Sequence, residues 1–294
     1  MVPDPITIEA HKGHATAVRF LPDGRLLTAG MDARVRLWSG PAWEDGSVAA
    51  SHEKSVNALA LAPDGTLVTG STDRTVRLWD AALTEDAEPR ATLAGHRNTV
   101  AGLAVSPDGS LVASASYDAT VRLWRLPDGE PAGVLKEHPR NVTAVAWSPD
   151  GAVLATGGVG DEVFLWSVPA GELLQTLPGH ATAVPALAFT ADGGCLLSVG
   201  YEGSVIVWDR SDWTVARRVA TDRRGSLPLA VAPNGGLFAL GSEREVTLWS
   251  VEDGVLLERM PVGAKGVYGL DFSATGRLLA CAAADGRARI WELE

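Results

Sequence analysis

Short apolar runs separated by polar turn residues follow one another along the whole chain. In one unit, apolar residues 103–105 precede the turn Pro107-Asp108-Gly109, and two further runs follow at residues 111–114 and 121–124. Residues 90–93 form a fourth kind of run at the end of the preceding unit. Pro-Asp-Gly is a turn signal because proline presets φ and glycine adopts positive φ. Since no segment has a helical period of 3.6 residues, we predict an all-β chain of short strands.

Seven tryptophans recur at a nearly constant interval. Each closes the third run of a unit, and successive ones are 41, 45, 42, 42, 41 and 42 residues apart. They are Trp38, Trp79, Trp124, Trp166, Trp208, Trp249 and Trp291. A turn glycine precedes each by 14 or 15 residues, at Gly24, Gly65, Gly109, Gly151, Gly193, Gly235 and Gly276. Four strands in a period of about 42 residues are typical of a β-propeller blade, because β-helices have shorter periods and solenoids of this period are helical.

The composition and charge of the chain argue against several classes of function. The 294 residues are 46% hydrophobic and 21% charged, which is typical of a globular protein. A net charge of −11 argues against a nucleic-acid partner, because phosphate binding needs an excess of Lys and Arg. We find no signal-peptide pattern and no apolar run near the ~18 residues of a membrane span. Cys195 and Cys281 lie in different repeats and are expected to be buried thiols, so we predict a cytoplasmic protein without a membrane partner.

The repeat resembles that of the WD-repeat family over essentially the whole chain. The family's Gly-His and Trp-Asp pairs are matched at Gly95-His96, Gly179-His180, Trp79-Asp80 and Trp208-Asp209. The resemblance implies a single seven-bladed β-propeller over residues 1–294, built from four-stranded antiparallel blades. In this family the N-terminal segment supplies the outer strand of the last blade, and residues 6–8 align with that strand here.

The resemblance also gives most histidines a structural role. In the family, this His bonds a Ser or Thr on the second strand and an Asp in the next turn, and the hydroxyl meets the indole N–H of the repeat Trp. The complete sets are His11, Thr28, Asp32 and Trp38; His52, Thr69, Asp73 and Trp79; and His96, Ser114, Asp118 and Trp124. The fourth repeat has Gly160 at the Asp position and the fifth has Glu202, whereas the sixth and seventh lack both the His and the hydroxyl. A lone buried polar partner costs ~1–3 kcal/mol, so this joint loss favours a structural network over a catalytic triad.

We find no pattern for catalysis, a cofactor or a metal. His-Glu-x-x-His, Cys-x-x-Cys and a glycine-rich loop before a helix are all missing from the sequence. Five histidines are spread over five blades without metal-ligand spacing, and the sixth, His14, is expected to be a solvated loop residue. An enzyme with a central-channel site is the less favoured alternative, because the starts of the innermost strands offer little acid-base chemistry. Those starts hold Thr16, Asn57, Ala101, Thr143, Pro185, Leu227 and Tyr268.

The two faces of the predicted propeller differ in charge. Labelling the strands of a blade a to d from the channel outward, we call the face with the d–a and b–c loops the top face. Its d–a loops hold Lys12, Lys54, Arg97, Arg140, Arg223, Arg224 and Lys265 against the acids Glu53 and Asp222. The opposite face is acidic, with Asp23, Asp64, Asp108, Asp150 and Asp192 in its a–b turns. Charged turns are common everywhere, but this does not explain why basic residues favour one class of loop.

All three tyrosines occupy related positions on the top face. Tyr117 and Tyr201 each precede a b–c turn acid, and Tyr268 begins a strand a. In WD-repeat proteins these positions surround the mouth of the channel and often contact peptides, and tyrosine is a typical interface anchor. Packing in a crowded loop is the alternative interpretation. The candidate partner-binding residues are Tyr117, Tyr201, Tyr268, Lys54, Arg97, Arg140, Arg223, Lys265, Met31 and Asn57.

These patterns predict a non-catalytic scaffold that binds a protein or peptide on its top face and is monomeric on its own. An acidic or phosphorylated segment would suit the basic residues. A regulatory propeller module of a larger protein or assembly is an alternative. Among the tryptophans outside the repeat, Trp147 is expected to pack in the core. Trp43 is either an exposed anchor on the bottom face or a cap on blade one.

Overall fold

Seven antiparallel sheets of four strands make up the computed structural model, which describes residues 4–40, 43, 46–80, 82–84, 87–168, 170–222 and 227–293. Blades one to four are formed by β2 (Ala15–Phe20), β3 (Leu26–Gly30), β4 (Arg34–Trp38) and β5 (Ser47–Ser51); β6 (Val56–Leu61), β7 (Leu67–Ser71), β8 (Val76–Trp79) and β9 (Ala91–Leu93); β10 (Val100–Val105), β11 (Leu111–Ser116), β12 (Val121–Arg125) and β13 (Pro131–Leu135); and β14 (Val142–Trp147), β15 (Val153–Gly158), β16 (Glu162–Ser167) and β17 (Glu172–Pro178).

Blades five to seven complete the ring. They are formed by β18 (Ala186–Phe189), β19 (Cys195–Gly200), β20 (Ser204–Asp209) and β21 (Val215–Ala220); β22 (Leu229–Val231), β23 (Leu237–Gly241), β24 (Glu245–Ser250) and β25 (Leu256–Pro261); and β26 (Val267–Phe272), β27 (Leu278–Ala283), β28 (Arg287–Glu292) and β1 (Ile6–Glu9). The described residues contain no helix that could span a membrane. The prediction of a seven-bladed all-β propeller is confirmed.

The repeat tryptophans fill the spaces between neighbouring blades. The core consists of seven apolar clusters, and each contains the tryptophan of one blade together with side chains of the blade before it. Trp124 of blade three, for example, packs with Val68 and Val76 of blade two. Both faces of a blade are therefore covered, and the second strand is buried throughout, as in β7. This is why the strands appear in the sequence as short continuous apolar runs.

Strand β1 closes the ring by pairing with β28, as predicted. The register joins Ile6 to Ile290 and Ile8 to Ala288. Ile8 is buried in the cluster between blades seven and one, whereas Ile6 is exposed. The pairing gives the last blade its outer strand and removes an open sheet edge from β28.

The cysteines and extra tryptophans are placed as follows. Both thiols are free, but Cys195 is only half-buried, unlike Cys281, so the prediction that both are buried is wrong for Cys195. Burial raises the pKa of Cys281 to about 12. Trp147 is buried in the core. Trp43 is also buried and lies edge-on to Phe20 at 6.2 Å, so it caps blade one and is not an exposed anchor.

Candidate functional site

The three complete polar sets have one geometry. In blade three, His96 Nε2 lies 2.8 Å from Ser114 Oγ, and the Trp124 indole donates to the same hydroxyl at 2.8 Å. Since the hydroxyl accepts from the indole, it donates to Nε2, and Nδ1–H then donates to Asp118 at 2.9 Å. The corresponding sets are His11, Thr28, Asp32 and Trp38 in blade one, and His52, Thr69, Asp73 and Trp79 in blade two. Each polar group thus has a partner inside its own blade.

Blades four and five keep most of the set. His138 Nε2 lies 2.7 Å from Thr156, which also accepts the Trp166 indole N–H at 2.8 Å. The described contacts give His138 no carboxylate, and its ring lies 4.1 Å from that of Phe164. In blade five, Glu202 takes the place of the aspartate, 2.6 Å from His180 Nδ1.

In blade six a third-strand residue replaces the missing hydroxyl, and blade seven keeps an arginine–aspartate pair that blade one also has. In blade six, the Trp249 indole donates to Thr247 at 2.9 Å. In blade seven, Arg289 is buried and donates to Asp285 at 2.6 Å. Sequence reasoning missed Thr247 and Arg289 because they lie two residues before the repeat tryptophan, outside the positions of the family pattern.

Burial decides the charge state of these histidines. It lowers the pKa of His11, His52, His96, His138 and His180, and the carboxylates of four blades act against this shift. His138 has no carboxylate, and burial lowers its pKa to about 4. Burial opposes ionisation of Asp118, but hydrogen bonds from Thr120, the Arg97 amide and His96 lower its pKa to about 2. Neutral histidines paired with ionised acids suit a structural role.

The stability of the fold should therefore depend on His138 in mild acid. The unfolded side chain titrates near pH 6.5, whereas the folded one titrates at about 4. Between these values the unfolded state binds a proton that the folded state does not, so stability is lost as the pH falls from 6.5 to 4, by about 3 kcal/mol. In urea unfolding at several pH values, His138→Gln should reduce the loss of stability between pH 7 and pH 4 by up to this amount. An unchanged pH dependence would contradict the shift.

Bulges turn the strand-a start residues into the channel. In five blades the a–b register shifts around one residue, namely Thr16, Asn57, Ala101, Thr143 and Tyr268. A bulge leaves the extra residue unpaired and redirects its side chain. In blades five and six strand a begins later, and Pro185 and Leu227 occupy the equivalent positions. All seven residues line one end of a central cavity of about 360 Å³, which we call the mouth.

A repeated backbone hydrogen bond fixes the b–c loops against the d–a loops. The Tyr117 amide donates to the Thr99 carbonyl at 3.0 Å, and the Tyr201 amide donates to the Ala183 carbonyl at 3.0 Å. The same bond recurs at Met31, Thr72, Val159 and Ala284. Of these residues, Tyr117 and Tyr201 also line the central cavity.

His14 is not the solvated loop residue predicted from the sequence. It is half-buried, and its ring stacks on Tyr268 at 5.2 Å with an angle of 19° between the planes. The stack restricts the Tyr268 side chain while leaving it exposed. No pattern in the sequence indicated this contact, because the two residues lie in different blades and meet through ring closure.

The lysines and arginines of the d–a loops that the structure describes are exposed and form no ion pair. Among the described residues, no ion pair involves the side chains of Lys12, Lys54, Arg97, Arg140 or Lys265, which we call the basic rim. Arg223 and Arg224 lie outside the described residues. The b–c turns add exposed Arg74 and Arg244, which sequence reasoning missed, together with the exposed acids Asp161 and Glu243.

Asn57 connects two neighbouring blades at the mouth. Its side-chain amide donates to Thr72 and to the Val100 carbonyl, both at 3.1 Å, and so connects blades two and three. Thr16 donates in the same way to the Val56 carbonyl of the next blade. Met31 is exposed beside them. Across the described residues, no three metal-ligating side chains come close enough together to hold a metal ion.

A closed ring of seven four-stranded blades around a channel defines a β-propeller. The chain belongs to the WD40 family: the model described as WD domain, G-beta repeat matches residues 5–39, 46–80, 87–125, 129–167, 171–209 and 258–292. The first three strands of blade six lie outside the matched residues. Propellers of this family are typically non-catalytic scaffolds for protein interaction.

A known structure has the same fold. The crystal structure of the WD40 beta propeller domain of Doa1 is similar to this chain with a TM-score of 0.88 and 23% sequence identity. The match covers 98% of this chain and 96% of that one. No curated protein matches the sequence.

Proposed function

We propose that this propeller is a non-catalytic scaffold that binds a protein or peptide across its top face, as a monomer, and that the ligand is an acidic or phosphorylated segment. The observation that carries the proposal is the distribution of exposed large apolar side chains. Three of them, 41–44% exposed, line the cavity at the mouth: Tyr117, Tyr201 and Tyr268. Met31 and Val159, 51% and 39% exposed, occupy in their own blades the b–c loop position of Tyr117 and Tyr201. The others in the described residues lie on or beside the outer strands of the blades, at Ile6, Val134, Leu173, Leu174, Val215, Val255 and Leu257.

The mouth has the chemistry of a peptide-binding surface. Tyrosine offers a large rigid apolar body with a polar end, and such residues dominate the energy of many interfaces. The basic rim carries charges that form no ion pair with an acidic side chain of the described residues. The b–c turn acids Asp32, Asp73, Asp118, Glu202 and Asp285 are already engaged by histidines or arginines. An acidic ligand would therefore meet free cations.

The acidic groups of the opposite face have local structural roles, which supports the choice of the top face. Asp108 accepts from Ser106 at 2.6 Å and from the Ser110 amide at 3.0 Å, so it stabilises its own turn. Asp150 accepts from Ser148 in the same way and also pairs with Arg210 at 2.6 Å. These contacts explain why aspartate recurs in the a–b turns without invoking a ligand.

We also propose a cytoplasmic location. Both cysteines are free thiols. Cytosolic proteins keep their thiols reduced, whereas secreted proteins tend to pair them.

Selection of peptides from a displayed random library on the purified propeller tests the ligand class. We expect the selected peptides to combine an apolar anchor with acidic residues. Lys54→Glu with Arg97→Glu should slow their association about tenfold at low salt and much less at high salt, because steering by charge is screened. Stopped-flow measurement at several salt concentrations gives this comparison. Arg25→Glu, on an a–b turn of the opposite face, is the control, and equal effects of the two changes would contradict the proposal.

A further inference from the structure

At one position of strand a, two blades carry a residue type different from that of the other five. Five residues before the turn glycine, strand a carries alanine in five blades, at Ala60, Ala104, Ala146, Ala188 and Ala230. Blade one has Arg19 at this position and blade seven has Asp271. These two blades are neighbours where the ring closes, and Arg19 Nη1 lies 3.3 Å from Asp271 Oδ1. The charged pair thus lies at the junction of blades seven and one, at a position that is small and apolar in the other five blades.

Arg19 divides the channel into two cavities. It lines the upper cavity of about 360 Å³ below the mouth and also a lower cavity of about 410 Å³. Among the described residues that line the upper cavity, it is the only charged one. It lies three residues after the mouth residue Thr16 along β2, which corresponds to roughly 10 Å along the channel. A group that enters through the mouth would therefore meet one cation at the bottom of a neutral cavity.

The contacts of this pair leave the guanidinium available. Asp271 accepts from Arg19 with one oxygen and from the Phe20 amide at 2.7 Å with the other. Both of its oxygens are used, and its side chain is only 15% exposed. The Arg19 side chain is 46% exposed, and the bond to Asp271 is the one hydrogen bond that this side chain makes to the described residues. A guanidinium has five N–H donors in a planar fork, so most of them are free for another acceptor.

We propose that Arg19 is the floor of an anion-binding site in the channel, which takes a carboxylate or phosphate group that enters through the mouth. The planar fork matches two oxygens of either group. The cavity of about 360 Å³ that Arg19 lines leaves space for the group beside the guanidinium. Asp271 holds Arg19 in place, and its negative charge weakens the site. The group is either a free small anion or an acidic end of the bound partner, and only the second source rests on the proposed function.

Titration with inorganic phosphate tests the site without any partner. The Nε–Hε signals of 15N-labelled arginines are followed by NMR at constant ionic strength, with sodium chloride as the compensating salt. We expect the Arg19 signal to shift saturably as phosphate is added. In Arg19→Gln this signal is absent, and any stabilisation of the fold by phosphate should be lost. Asp271→Asn keeps an acceptor for the Phe20 amide and removes the competing charge. It should tighten phosphate binding by about fivefold, the effect of one unit charge near 4 Å in water.

The effect of Asp271→Asn distinguishes an anion-binding site from an ion pair that only joins two blades. If the pair only holds blades seven and one together, Asp271→Asn will lower stability and leave the Arg19 signal without a saturable shift. That result, or an unsaturable shift in the wild type, would overturn the proposal. Asp23→Asn is the matched control, because Asp23 pairs with Arg25 at 2.8 Å on the surface and should not change phosphate binding.

Competition identifies the source of the anion. If phosphate displaces the selected peptides in proportion to its binding at Arg19, an acidic group of the partner occupies the site. If Arg19 binds phosphate and the peptides stay bound, the site exists and its ligand is a free small anion. Loss of peptide binding to the tyrosines leaves the phosphate titration unchanged, so failure of the proposed function and failure of this site are distinguishable.

Discussion

Replacement of Tyr117 and Tyr268 by alanine is expected to abolish binding of the selected peptides while the propeller stays folded. Both side chains are more than two-fifths exposed at the mouth, so their removal opens no core cavity. A buried interface anchor contributes about 2 kcal/mol or more. Two anchors that act independently would then weaken binding roughly a thousandfold. Isothermal titration calorimetry gives the dissociation constants, and thermal unfolding shows that the fold is retained.

A matched control distinguishes the mouth from exposed apolar surface in general. Val134 and Leu257 are similarly exposed but lie on the outer strands β13 and β25. Val134→Ala with Leu257→Ala should leave peptide binding unchanged. If this variant loses binding and the tyrosine variant keeps it, the ligand lies on the outer strands and the top-face proposal is wrong.

The number and order of the blades were predictable because each repeat tryptophan serves one interface between blades. The spacing of seven such residues therefore counts the interfaces of a closed ring. Strand ends were less predictable. The run expected at residues 111–114 extends to Ser116 in β11, because backbone pairing continues into polar residues that the apolar pattern does not mark.

The polar network was predictable only where it follows the repeat. The spacings of the three complete sets agree to within one residue, so their residues could be identified by position. Thr247 could not, since no other blade has a hydroxyl at its position. Arg289 shares its position with Arg36, Arg77 and Arg122, so the sequence did not mark it as different from them. A one-dimensional pattern does not show which face of a strand a replacement residue shares with the tryptophan.

The mouth was predictable in outline but not in its chemistry. The register placed Tyr117, Tyr201 and Tyr268 around the channel, but it did not indicate the bulge that turns Tyr268 inward. Nor did it indicate the contact between Arg19 and Asp271, which are 252 residues apart in the sequence. Such contacts exist only because the ring closes, and closure brings together the two ends of the repeat array.

Removal of residues 1–10 is expected to destabilise the propeller severely and to make it self-associate. The deletion takes away the four register pairs between β1 and β28, and it removes buried Ile8 and Ala10 from the core between blades seven and one. The backbone N–H and C=O groups of β28 along that edge then lose their partners, and an open strand edge pairs readily with another chain. We expect a markedly lower melting temperature and oligomers in size-exclusion chromatography with light scattering.

Two isoleucines of the same strand separate core packing from backbone pairing. Ile8→Ala creates a cavity beside Trp38 and Ile290 and should cost roughly 2–5 kcal/mol, which lowers the melting temperature by roughly 4 °C or more. Ile6→Ala removes an exposed side chain from the same strand and should change stability by less than about 0.5 kcal/mol. If the deleted protein melts within about one degree of the full chain and stays monomeric, β1 contributes nothing to closure. The ring would then be held by contacts between the inner strands, among which the bonds of Asp271 to Arg19 and Phe20 cross the same junction.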